Sequence, residues 1–200
     1  MMKPVWNEAM IARQICLHTF QRKCLLLVNN CNWTGSECDV LGVTMDGRIV
    51  DIEIKISRSD LKADAKKSKW WHSTYLGVGP EYEVVKTVHG REWRYTRRDP
   101  LYSKTARPHP DKVWKHYYCL PAAIWTDELL DSLPSKNSGV LLVSEKGGEF
   151  VVDCRRRAKP AKDAFRLSVE QALDIARLAH LRMWEAYAQA NRGLPKSAAA

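Results

Sequence analysis

Six cysteines, at positions 16, 24, 31, 38, 119 and 154, include no Cys-x-x-Cys pair. Scattered and without such a pair, they indicate neither a zinc knuckle nor a disulfide framework, and read as small, mostly buried thiols. Cys31 and Cys38 flank a turn, but without a partner pair of histidines they read as structural. No apolar run approaches the length of a membrane-spanning helix, and no apolar leader follows Met1-Met2-Lys3-Pro4. The expectation is therefore a cytoplasmic protein, in a bacterial or phage-infected host cell, with no membrane partner. Acidic residues are the scarcer charge, 23 against 32 Lys and Arg, for a net charge of +9. Between Ser57 and Lys115 fourteen Lys or Arg face seven Asp or Glu. Such a surplus suits a polyanion, although charge alone also fits any basic globular protein.

What is present suits a globular chain. Two hundred residues, 45% hydrophobic and 28% charged, are enough for one core. A single domain is expected over residues 1–190, with a basic, aromatic insertion at 77–112 and a flexible tail at 191–200.

The chain is organised around Asp51-Ile52-Glu53-Ile54-Lys55. At the two-residue period of a strand, Val50, Ile52, Ile54 and Ile56 form a core face, and Asp51, Glu53, Lys55 and Ser57 form the other. Strands are predicted at 23–28, 37–44 and 48–56, the last two joined by the turn at Asp46-Gly47. Glu37 and Asp39 share a face of the middle strand. A helix is predicted from Asn7, its cap, to about Phe20, with Ile11, Ala12 and Ile15 inward and Glu8 one turn earlier.

A second helix is predicted from Ser57 to about Trp71. It would carry a basic stripe of Lys62, Lys66 and Lys69, with Lys67 beside it. The insertion contains a β-hairpin, 81–88 and 91–97. There Arg91, Arg94, Arg97 and Arg98 interleave with Trp93 and Tyr95, a pattern that contacts phosphates and stacks on bases, or equally packs an exposed hairpin. Further strands are predicted at 113–120, 139–144 and 149–154, with a helix at 122–133. Ser168 and Gln171 make a capping box for a C-terminal helix. One face of it carries Val169, Ala172, Leu173, Ala176, His180, Met183, Trp184 and Tyr187, with His180 read as a partnered, partly buried histidine.

An Asp on one strand and Glu-x-Lys on the next is a metal-dependent nuclease arrangement. Phosphodiester hydrolysis needs stabilised phosphate charge, an activated water and a stabilised leaving oxygen, and Mg²⁺ held by carboxylates supplies much of this. Asp39 and Glu53 are the candidate ligands, joined by the backbone carbonyl of Ile54. Lys55 would orient or help deprotonate the water. Crowded acids are costly without a cation, which favours metal.

Asp39 followed by Glu53-Ile54-Lys55 and a helix resembles the PD-(D/E)xK nuclease superfamily. The run Glu37-Cys38-Asp39-Val40-Leu41, the continuation Ile56-Ser57-Arg58-Ser59-Asp60-Leu61 and the later Asp64 and Lys69-Trp70 look like its MmcB-like family of DNA-repair proteins. Cys38 stands where the superfamily name has Pro, and the segment 77–112 has no match in the resemblance. The resemblance implies an α/β (α+β) restriction-endonuclease-like fold with an αβββαβ core and a mixed central sheet flanked by helices. To this the chain adds the basic hairpin and the C-terminal helix.

It also implies a Mg²⁺-dependent DNA endonuclease, with Mn²⁺ as a substitute metal, in repair, recombination or a phage or mobile-element setting. Asp39, Glu53 and Lys55 would be catalytic, with Glu8 matching the first-helix acid of some members. Ser57, Arg58, Lys62, Lys66, Lys69, Arg91, Trp93, Arg94 and Arg97 would contact DNA, and a homodimer is left open. The alternatives are a DNA-binding module that keeps the fold with little or no catalysis, and a structural domain in which Lys55 neutralises Glu53 and Asp51. The roles of Asp51 and Glu37 are not assigned.

Overall fold

The computed structural model describes residues 6–190; the predicted tail lies outside them. Helix α1, Glu8–Ile15, is capped by the Asn7 side chain, which accepts from the Met10 amide at 2.8 Å, and its end widens into a π-turn at Cys16–Phe20. Strands β1 (Cys24–Cys31), β2 (Cys38–Thr44) and β3 (Ile49–Ile54) form the meander the alternation predicts. Cys31 and Cys38 are paired across β1 and β2, and both are free thiols.

Helix α2 spans only Arg58–Ala63, and two 3₁₀ turns, Asp64–Lys66 and Ser68–Trp70, replace the predicted continuation to Trp71. The chain then runs out into a long ribbon. Strand β4 (Trp71–Val78) pairs with β7 (Pro100–Ala106), and beyond them β5 (Tyr82–Val88) pairs with β6 (Arg91–Arg97). The insertion thus begins at Trp71, and Pro100 heads strand β7, where its missing N–H costs least. Strands β8 (Val113–Pro121), β9 (Gly139–Lys146) and β10 (Glu149–Arg156) follow. Between β8 and β9 the predicted helix is two 3₁₀ turns, Ala122–Ile124 and Asp127–Ser132, separated by an extended Trp125. Helix α3, Val169–Ala190, completes the order.

The fold is mixed α and β, built on a six-stranded sheet ordered β1-β2-β3-β8-β9-β10. β3 runs parallel to β8 and β8 to β9, while the remaining pairs are antiparallel. One face packs Val40, Val50, Ile52, Ile54 and Cys119 against Ile11, Ala12 and Ile15 of α1. Ile56 lies past the end of β3 and is exposed, so the predicted core face stops at Ile54. On the opposite face α3 covers one apolar cluster through Ile175 and Leu178, and Leu61, Trp70, Tyr118 and Leu129 form another. Asp51 and Glu53 stand on this face beside His116 and Tyr118, their partners in the parallel register. No helix among the described residues is long and apolar enough to cross a membrane.

Candidate active site

The site begins where two strands part. The β2–β3 ladder ends at Val40 and Ile52. Beyond it the Lys55 amide donates to the Cys119 carbonyl at 2.9 Å, so the chain stays with β8 and leaves β2. The Asp39 carboxylate fills the gap: its Oδ2 accepts the Ile54 amide at 2.6 Å. A side chain thus takes over from a ladder carbonyl, and Asp39 is held beside Glu53-Ile54-Lys55. This tie uses the amide of Ile54, not the carbonyl proposed as a ligand.

The polar face of β3 is sealed from water. Asp51 and Glu53 are each 1% exposed and Lys55 is 3% exposed. Buried charges persist only when paired and hydrogen-bonded, and here the pairing is dense. Glu53 Oε2 accepts from Lys55 Nζ at 2.8 Å and Lys67 Nζ at 3.1 Å, and Oε1 from Lys69 Nζ at 2.5 Å. Asp64 is the second anchor. Its Oδ1 lies 3.2 Å from Lys55 Nζ and 2.9 Å from Lys67 Nζ, and its Oδ2 accepts from Tyr118 Oη at 2.5 Å and Trp70 Nε1 at 3.0 Å. Asp51, without a role from sequence, is the third: Lys69 Nζ reaches it at 3.3 Å and His116 Nε2 lies 3.8 Å away.

The partner of Asp51 is therefore Lys69, not Lys55, which sits between Glu53 and Asp64. His116, buried and bonded through Nδ1 to Ser138 Oγ at 3.0 Å, is held neutral because burial pushes its pKa well below the ordinary value.

These contacts set the titration of each group. Burial raises the carboxyl of Glu53, but Lys69 and Lys55 outweigh it and hold the group below the usual range. Asp64 is likewise held low by Lys55 and Tyr118 against the effect of burial. Burial works against the charged form of Lys55, yet Glu53 and Asp64 raise its pKa. Lys55 therefore stays an ammonium. Two acids move the other way: burial pushes Asp51 up to about 6 against the pull of Lys69, and Asp39 is raised too. Burial, then repulsion from Glu53, push it up to about 6 despite the Ile54 amide and Lys55, and Glu8 adds to the repulsion.

Three buried carboxylates thus match three ammonium groups, and Asp39 is a further acid with no ammonium of its own. Such a surplus suits a hard cation at Asp39 and Glu53. The set offers two carboxylates and main-chain oxygen; no group of three or more His, Cys, Asp or Glu side chains placed to hold a metal occurs among the described residues. A divalent ion held there would supply positive charge and acidify a bound water.

Glu8 is exposed at the first turn of α1, near enough to act on Asp39 electrostatically. Glu37 precedes β2 and lines a cleft of about 290 Å³ with Lys67, Ser68 and Lys69. A larger cavity of about 770 Å³, lined by Phe20, Trp114 and Tyr117 among others, contains none of these acids.

The predicted DNA contacts divide. Ser57 caps α2 by accepting the Asp60 amide at 3.1 Å, and Arg58 donates to the Ile124 carbonyl at 2.6 Å. Lys62 and Lys66 are exposed, but Lys69 is buried. The basic stripe is therefore corrected: α2 ends at Ala63, and the 3₁₀ turns rotate Lys69 inward onto Glu53 and Asp51.

On the ribbon, Arg91, Trp93 and Arg97 alternate on one face of β6, and Arg94 lies on the other. Arg97 is tied to Asp99 at 2.6 Å and Arg94 to Glu92 at 3.3 Å, which leaves Arg91 without a carboxylate partner among the described residues. Tyr118 and His116 also belong to the site, although neither is among the residues expected there from sequence. The usable signal was the parity they share on β8, whose register sets them beside Glu53 and Asp51.

No protein-family model and no curated protein matches the chain. Among solved structures it is similar to the SPO1766 protein of unknown function from Silicibacter pomeroyi, at 18% identity and a TM-score of 0.50, over 94% of this chain and 93% of that one. That likeness concerns the fold alone.

Proposed function

We propose that the chain is a metal-dependent nuclease of the PD-(D/E)xK, restriction-endonuclease-like class, hydrolysing phosphodiester bonds in DNA, with Mg²⁺ as its cation and Mn²⁺ as a substitute. The setting proposed is repair, recombination or a phage or mobile element. The observation that carries this reading is the clasp of Asp39 on the Ile54 amide, which sets an uncompensated carboxylate beside Glu53 where β2 and β3 diverge. Asp39 and Glu53 would hold the cation. Lys55, fixed as an ammonium between Glu53 and Asp64, would stabilise charge building on the phosphate. The exposed Lys62, Lys66 and Arg91 would bind the DNA backbone.

The three ammonium groups on Glu53 favour a second reading, a DNA-binding module that keeps the fold with little or no catalysis. One experiment separates the two. The protein and its Glu53→Ala and Lys55→Ala variants are incubated with supercoiled, linear, single-stranded and branched DNA, with Mg²⁺, Mn²⁺ or chelator. The nuclease reading expects metal-dependent cleavage that both variants lose by at least about a hundredfold. Binding without cleavage by the unmutated protein selects the second reading.

A further inference from the structure

Helix α3 has two apolar stripes, and the sheet uses only one. Ile175 is fully buried, and Leu178 and Ala179 pack beside it against β1 and β2. A second stripe runs through Val169, Leu173, Ala176, His180 and Met183, at intervals of 4, 3, 4 and 3 residues. Val169 and Leu173 are 72% and 64% exposed, Met183 is 54% exposed, and Trp184 beside it is 52% exposed. A strict alternation of four and three is the spacing of a helix–helix seam. A soluble helix with a polar outer face has no need of it.

We infer that this stripe is a self-association surface, on which α3 of a second copy packs antiparallel to the first, independently of the function proposed above. Three observations choose the occupant and its sense. Among the described residues the other α-helices, Glu8–Ile15 and Arg58–Ala63, have eight and six residues, too short to fill the seam, so the helix in this chain that matches α3 is α3 itself. Its charges nearly cancel, Glu170, Asp174 and Glu185 against Arg177 and Arg182, so it lacks the positive surplus a polyanion would need.

Residue size selects the antiparallel sense. With the two-fold axis near Leu178, Leu173 of one copy meets Met183 of the other, and the small Ala176 meets the large His180. A parallel pair would oppose two alanines in one layer and two histidines in another. Val169, Leu173, Met183 and Trp184 are each more than half exposed and together present on the order of 500 Å² per copy, so their complete burial in a two-fold pair would remove at most about 1,000 Å², the lower edge of a specific interface. His180 accepts from Trp184 Nε1 at 2.8 Å, which holds both rings in place along the stripe. The sequence reading of His180 as partly buried is thus corrected for the single copy, where it is exposed.

Sedimentation of the full chain over a concentration series tests the inference, with Leu173→Glu, Met183→Lys and the combined variant. The expected result is a dimer for the unmutated chain. Each single variant should dissociate at roughly a hundredfold higher concentration, because an unpaired charge enters the seam, with an unchanged circular dichroism spectrum. The double variant should regain the dimer, because only the antiparallel seam sets the carboxylate introduced at position 173 against the ammonium introduced at position 183 of the other copy. A monomer at all concentrations, a dimer insensitive to Leu173→Glu, or no recovery in the double variant overturns the inference.

Discussion

Replacing Asp39 by Asn should stabilise the protein. The amide oxygen of Asn can still accept the Ile54 N–H, so the clasp that ends the β2–β3 ladder is kept. What disappears is a half-buried charge opposed by burial, Glu53 and Glu8. A rise from the ordinary 3.8 to about 6 corresponds to about 3 kcal/mol at roughly 1.4 kcal/mol per pH unit. Because the carboxyl is partly open to solvent, about 1–2 kcal/mol is the expected gain.

The sign follows from the raised folded-state pKa. The native protein is free of this penalty below pH 3.8, acquires it as pH rises toward 6, and carries it in full above about 7. Thermal unfolding of both proteins from pH 4 to 8 should give a Tm advantage for the Asn variant of roughly 2–8 °C at pH 8, shrinking toward zero at pH 4. Mn²⁺ should raise the Tm of the native protein and leave the variant nearly unchanged. A variant no more stable than the native protein at pH 8, or one whose advantage persists undiminished at pH 4, would show that the Asp39 charge carries no such penalty.

Three further outcomes follow from the same geometry. Asp64→Ala leaves the Tyr118 hydroxyl and the Trp70 indole without their acceptor and Lys55 with Glu53 alone, and should cost about 3–5 kcal/mol in urea unfolding; Tyr118→Phe should cost about 1 kcal/mol. Glu53 and Asp64 titrate below the ordinary range, so the stability they supply is complete above about pH 5 and falls as pH drops through their folded-state values; an acid titration should show the native protein losing stability below about pH 4.5 faster than Asp64→Asn. On the ribbon, Arg91→Ala should weaken DNA binding and reduce the salt slope by about 1. Arg97→Ala should do less, since Asp99 already holds that guanidinium; equal effects in a filter-binding series would count against it.

Local rules reached the parts of the fold that local rules control. The meander and the 91–97 strand were legible because alternation and Gly turns specify them, and Asn7 because a cap is a short-range bond. The run from Ser57 to Trp71 was not, although its composition suits a helix. Lys67 and Lys69 turn in to reach Glu53, Asp64 and Asp51, and those ion pairs outweigh helical continuation. Strands β4 and β7 are mostly exposed and carry no core-facing alternation, so they leave no strand signal in the sequence.

The site divides in the same way. Asp39, Glu53 and Lys55 could be grouped from strand parity alone. The burial of Asp51 and Glu53, and the parts of Asp64, Lys69, Tyr118 and His116, depend on a parallel pairing with β8, far along the chain from β3.

The proposed cation site lies between Asp39 and Glu53 at the divergence of β2 and β3. An anomalous difference map at the manganese edge, from crystals of the protein grown or soaked in Mn²⁺, tests it most directly. The expected result is a peak in contact with both the Asp39 and Glu53 carboxylates, lost in Asp39→Asn. Glu53 still wholly engaged by Lys55, Lys67 and Lys69 at saturating Mn²⁺, with no peak beside Asp39, would contradict it.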